Sequence, residues 1–195
     1  IICLPVILGT LCFFMVRALK KGKGIRFFCM LFAILSVAYS GFVLTFACGY
    51  HGYLLDDKLG LERTEVSAEE LEETTLVVME KLTALVSQTE YGSDNFSKMP
   101  YSYKELNNKL NAAYKKFTAK HDFVQDMKST VKPIMLSEPM TYTHISGVYT
   151  YLTGEANVNV NYPDYNIPYT MAHEMAHQRG VAPENEANFI AFLVC

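Results

Sequence analysis

The sequence predicts an α+β protein: two membrane-spanning helices, then a helix-rich domain with a small sheet. Three observations predict it. Two uncharged apolar runs occupy residues 1–16 and 27–48. Two capping boxes, Ser67 with Glu70 and Ser102 with Glu105, each head an amphipathic pattern. Short segments rich in β-branched and aromatic residues then lead into a helix that carries His173, Glu174 and His177.

The apolar runs come first. Residues 27–48 carry no charge, and at about 1.5 Å per residue they cover a bilayer core of about 30 Å. Residues 1–16 are also uncharged and read as a second span. No small-residue cleavage site follows them; instead Arg17, Lys20, Lys21, Lys23 and Arg26 fill the loop 17–26. The positive-inside rule puts that loop in the cytoplasm and both outer ends across the membrane. Residues 1–48 therefore form a membrane region, and residues 49–195 an extracytoplasmic domain. The chain starts at Ile1 inside an apolar run and stops at Cys195 inside a helical pattern. A fragment is expected, truncated at its C-terminus.

With 195 residues, a net charge of -3 and 50% hydrophobic content, the chain suits one domain and an appendage. The soluble part has no basic stripe with interleaved aromatics, which excludes nucleic acid as a partner. Cys3, Cys12, Cys29, Cys48 and Cys195 form no CxxC pair. Neither a cysteine zinc site nor a disulfide framework is expected.

Beyond the capping boxes, Leu71, Val78, Leu82, Leu85 and Val86 recur at helical spacing, and so do Leu106, Leu110 and Phe117. Residues 132–137, 147–152 and 156–161 read as short strands. Val158 and Val160 alternate with Asn157, Asn159 and Asn161, the pattern of a half-buried or edge strand. Pro168 suits the first position of a new helix, Gly180 its termination, and Pro183 the start of another.

On the Pro168 helix, His173 and His177 are one turn apart on one face. That spacing lets both imidazoles reach one Zn²⁺ at about 2.0–2.1 Å. Glu174 is rotated by about 100° and faces a water on that metal, whose proton a carboxylate can accept. A third ligand is needed, and Glu184 and Glu186 are the candidates, with Glu155 a weaker one.

His173-Glu-Met-Ala-His177-Gln-Arg-Gly180, followed by Glu184-Asn-Glu-Ala-Asn188-Phe-Ile-Ala191, resembles the glutamate-ligand branch of the zincin superfamily. The resemblance implies a zinc-dependent metallopeptidase with a zincin-like domain and Glu174 as general base. It implies Glu184 as third ligand, with Glu186 the alternative, and Asn188 as the residue that orients a histidine. It also implies that the strand before the helix binds an extended peptide, through Glu155, Ala156, Asn157, Val158 and Asn159. Tyr149, Tyr151, Tyr169 and His144 are candidate oxyanion stabilisers.

A wider stretch resembles a bacterial membrane family filed as domain of unknown function 3810. The matching segments are Lys132-Pro133, Gly147-Val148-Tyr149, Thr153 to Asn159, and Pro168 to Phe189. This implies a multi-pass protein of the bacterial cell membrane with its catalytic domain outside, acting on peptides or proteins. Two other expectations compete: a membrane-tethered, non-catalytic binding or sensing domain with structural zinc, and a non-peptidase hydrolase.

Overall fold

The first apolar run and its basic end form helix α1, Cys3–Lys20. The second forms α2, Gly24–Thr45, which continues into a tighter turn, Ala47–His51. The computed structural model describes residues 3–62 and 64–195, with side-chain surroundings from residue 9 onward. Among the described residues one helix, Gly24–His51, is long and apolar enough to cross a membrane. Two spans were expected. Half of the first, residues 1–8, lies outside the described side chains.

The chain divides into two units, Ile1–Cys48 and Gly49–Cys195. The second unit contains α3 (Leu55–Leu59), α4 (Ala68–Val86), α5 (Tyr103–Thr118), β1 (Lys132–Pro133), α6 (Ser137–Thr141), β2 (Gly147–Thr150), β3 (Glu155–Val158), α7 (Ile167–Gln178) and α8 (Glu184–Val194). Both capping boxes are formed. Ser67 Oγ accepts from the Glu70 amide while Glu70 accepts from the Ser67 amide, and Ser102 and Glu105 repeat the exchange.

The sheet order is β1-β3-β2, with β1 parallel and β2 antiparallel to β3. This corrects the edge-strand expectation: β3 is the central strand, flanked on both sides at Asn157 and Val158. Its alternation has another cause. Ala156 and Val158 face the core, and Asn159 is itself buried, donating to Thr141 Oγ1 at 3.1 Å and to Ile145 O at 3.0 Å. Residues 132–137, read as one strand, give only the two of β1 before α6 begins at Ser137.

Helix α7 packs between the sheet on one side and α5 and α8 on the other. Ile167, Met171, Ala172, Met175 and Ala176 are fully buried. They meet Leu110 and Tyr114 of α5, Ala156 and Val158 of β3, and Ala187, Ile190 and Ala191 of α8 in one core. Burying each large apolar side chain stabilises the fold by about 1.5–3 kcal/mol. Behind α7 lies a polar layer. Arg179 donates to Met175 O at 3.0 Å, to Ser129 Oγ at 3.2 Å and to Met127 O at 2.8 Å. Its guanidinium stacks 4.0 Å from the Tyr114 ring, and the Tyr114 hydroxyl donates to Ala172 O at 2.6 Å.

Two asparagines of α5, one turn apart, hold the extended segment that feeds β1. Asn107 accepts from the Val131 amide at 2.8 Å and donates to the Val131 carbonyl at 3.2 Å. Asn111 does the same for Ser129, at 2.8 and 2.7 Å. Each amide side chain thus replaces a missing strand partner. Asn107→Ala leaves both backbone groups of buried Val131 without these bonds. The expected cost is about 2 kcal/mol, read as a lower Tm by circular dichroism. An unchanged Tm would show that other groups satisfy Val131.

Candidate metal centre

Pro168 lies in the first turn of α7, where a missing N–H costs nothing. The helix ends where Gly180 takes a φ of +93°, a left-handed value that suits glycine. The Gly180 amide donates to His177 O at 3.0 Å, and the Val181 amide to Ala176 O at 3.2 Å. This turn lets Pro183 start α8 pointing back toward the histidines.

Two imidazoles and one carboxylate converge. His173 Nε2 lies 3.1 Å from Glu184 Oε2, and His177 Nε2 lies 3.5 Å from Glu184 Oε1. The two rings are 4.6 Å apart and nearly perpendicular, at 89°. The donor atoms of His173, His177 and Glu184 all lie within 4.8 Å of one another. Corners of a tetrahedron with bonds of about 2.0–2.1 Å are about 3.3 Å apart, so the spacing fits a zinc-sized cation. Glu184 stands in the exposed first turn of α8, where its charge also meets the helix dipole.

The histidines are oriented from behind. His177 Nδ1 lies 2.7 Å from Val181 O. A carbonyl only accepts, so Nδ1 carries the proton and Nε2 turns a lone pair toward Glu184. His173 Nδ1 is buried and makes no hydrogen bond of good geometry. Asn188 lies beside that ring and favours its charged form, against burial and the neighbouring His177, which together lower its pKa. Asn188 is itself fixed, because the Tyr169 hydroxyl donates to its backbone oxygen and its Oδ1, both at 3.1 Å.

Glu174 is 5% exposed, and its carboxylate lies against Gly147, the first residue of β2. A Cβ on Gly147 would sit 2.4 Å from Glu174 Oε1 and 2.8 Å from its Cγ. The first residue of β2 therefore has to be glycine for Glu174 to occupy this position. Burial, then the charge of Glu184, push the Glu174 carboxyl up to about 8. Its Oε2 is buried without a hydrogen bond. That orphaned oxygen is a group that a water on a bound cation would satisfy.

The other named residues are placed as follows. Glu186 is buried and accepts from the Leu55 amide at 3.0 Å, so it faces away from the histidines. Glu155 pairs with Lys132. The ring of Tyr149 lies 6.3 Å from that of His177, while the Tyr169 hydroxyl is engaged by Asn188. His144 sits in a turn with φ of +57°. Gly147 and the Val181 carbonyl were not foreseen, since their roles arise from tertiary contact alone. Tyr50 is a third such residue: burial and then Glu184 raise its phenol, which puts the segment after α2 near the centre.

Tyr169→Phe should weaken zinc affinity about tenfold with unchanged helicity, since outer partners of ligands have effects of that size. Competition with a chelator measures it, and wild-type affinity would remove Tyr169 from the centre. A second expectation concerns pH. The Glu174 carboxyl titrates near 8 folded, against 4.5 ordinarily. Its protonated form is therefore preferred by the folded state. Stability is full below the lower value and falls as pH rises through the upper. Chelator-treated protein should lose Tm between about pH 5 and about pH 8.5, and Glu174→Gln should remove most of that loss. The chain has no tryptophan, so circular dichroism is the readout. Parallel pH profiles for the two proteins would refute the assignment.

Residues 1–195 match the family described as "Protein of unknown function (DUF3810)". No curated protein and no solved structure matches. The match runs the length of the chain, so this α+β protein with its His173–His177–Glu184 cluster belongs to the DUF3810 family.

Proposed function

We propose that the unit Gly49–Cys195 is a zinc-dependent metallopeptidase with a zincin-like active site. One observation carries the reading: Nε2 of His173, Nε2 of His177 and the Glu184 carboxylate meet within 4.8 Å, with a separate buried carboxylate on the adjacent residue, Glu174. A structural site would need the first three groups and not the fourth. His173, His177 and Glu184 would hold the metal, which supplies Lewis acidity toward a carbonyl and makes water easier to deprotonate.

The remaining work falls to this chain's own residues. Glu174 accepts a proton from the attacking water at its carboxylate and returns it to the leaving amine. Desolvation raises its proton affinity, and the charge of a cation beside it would offset that, leaving a carboxylate able to serve as base near neutral pH. Gly147 leaves it room, and the backbone carbonyl of Val181 fixes the tautomer of His177. Burial on α7 keeps bulk water from one side of the site, while exposed Glu184 leaves the other open to substrate. An extended peptide would pair with β2, an outer strand of the sheet that begins at Gly147 beside Glu174. This replaces the central strand β3 as the binding edge.

The same reading places the lipid bilayer around α1 and α2 of a bacterial cell membrane, with the basic loop 17–26 inside and the hydrolase outside. The chain then acts on peptides or proteins beyond that membrane.

The test is metal content and peptide cleavage by the full chain in detergent. Wild type should hold about one zinc per chain, and His177→Ala none. Glu174→Gln should keep the zinc and lose at least about 100-fold in rate. Gly147→Ala should also keep the metal and lose rate, through displacement of Glu174. A wild type that takes up no zinc at neutral pH would sink the reading. Zinc retained with Glu174→Gln fully functional would instead support the non-catalytic tethered domain.

A further inference from the structure

Helix α4 carries Leu71, Val78, Leu82 and Leu85 along one stripe, each 57–61% exposed. No side chain of α4 is buried among the described residues. A helix standing alone in water with such a stripe is not self-supporting, because most helical stability comes from packing an apolar face. Its first two turns add Glu69, Glu70, Glu72 and Glu73.

A second feature of the same unit mirrors it. A groove of about 580 Å³ runs between α5 and the end of α8. Lys109, Lys116, Lys120 and His121 line it together with Phe117 and Leu193, and no carboxylate does. Lys109 and Lys116 are two turns apart on α5, about 10 Å, and Lys120 follows just past its end. One face is acidic and apolar and the other basic and apolar.

We propose that α4 of one copy docks into the α5–α8 groove of a second copy. The charges select this occupant. An anionic leaflet would repel the four glutamates. Two α4 helices packed side by side in parallel would set those glutamates against each other. The groove offers apolar contact and the opposite charge. Within one chain no described residue of α4 lines the groove, and the connection after α4 is held by the Tyr91–Ser97 bridge and by the Met99 amide on Asp164 at 2.9 Å. Reciprocal exchange between two copies closes a two-fold dimer without open ends.

The experiment uses the full chain in detergent, in two differently tagged forms, with a photo-crosslinking residue replacing Val78. Crosslinks should join Val78 to the Ala112–Phe117 stretch of the other tagged copy. Glu72→Lys with Glu73→Lys should cut the yield at least about tenfold, and so should Lys116→Glu with Lys120→Glu. Mixing the two reversed chains should restore the yield, because each reversed helix then meets a reversed groove. That rescue also shows that both variants fold. Crosslinks confined to one copy, adducts only with added lipid, a yield indifferent to charge reversal, or a mixture that stays uncrosslinked would each overturn the proposal.

Discussion

Arg179 is a cation 3% exposed, two residues beyond a histidine of the candidate centre, and among the described residues no carboxylate is hydrogen-bonded to it. A buried charge is costly unless its donors find acceptors. Here the acceptors are carbonyls and hydroxyls from separate segments: Met127, Ser129 and Met175, with the face of Tyr114 beneath. Its two terminal nitrogens find these acceptors, and the ring its place beneath, only when α5, the segment before β1 and the end of α7 have all come together; Nε stays buried without a hydrogen bond. That condition anchors the last turn of α7 against the rest of the unit.

Helix α7 therefore has two jobs on two faces. Met171, Met175 and Ala172 fill the interior, and the stripe Tyr169, His173, His177 faces α8. The small residues Ala172 and Ala176 permit close approach of neighbouring elements. The turn itself is part of the chemistry, because its Val181 carbonyl sets which nitrogen of His177 is protonated. Packing and ligand orientation are thus imposed by one short stretch, residues 176–184.

What could be read in the sequence were features encoded locally. The two capping boxes, the Pro168 start, the Gly180 stop and the i, i+4 histidines each depend on residues within one or two turns. The ambiguity between Glu184 and Glu186 needed a tertiary fact: the Leu55 amide occupies Glu186. The period-2 pattern of β3 reported which side chains are buried, and it carries no information on which backbone edge is free. Asn107 and Asn111 look like surface asparagines on an amphipathic helix, because their partners at 131 and 129 are distant in sequence. Gly147 has no local signal at all, since the atom that excludes a larger residue belongs to Glu174. For α4 the pattern was legible and its burial was not.

His173, His177 and Glu184 lie within a stretch of about a dozen residues, closed by a single turn. Loop-closure entropy for so short a segment is small. The three donors therefore form a local cluster whose assembly does not wait for the sheet or for α5. An α7–α8 hairpin can hold a cation while the rest of the unit is open, as a local cooperative unit. A ligand that also binds the partly unfolded chain stabilises the native state less than its affinity suggests. A cation held there would act more as a nucleus retained through unfolding than as a clamp on the finished fold.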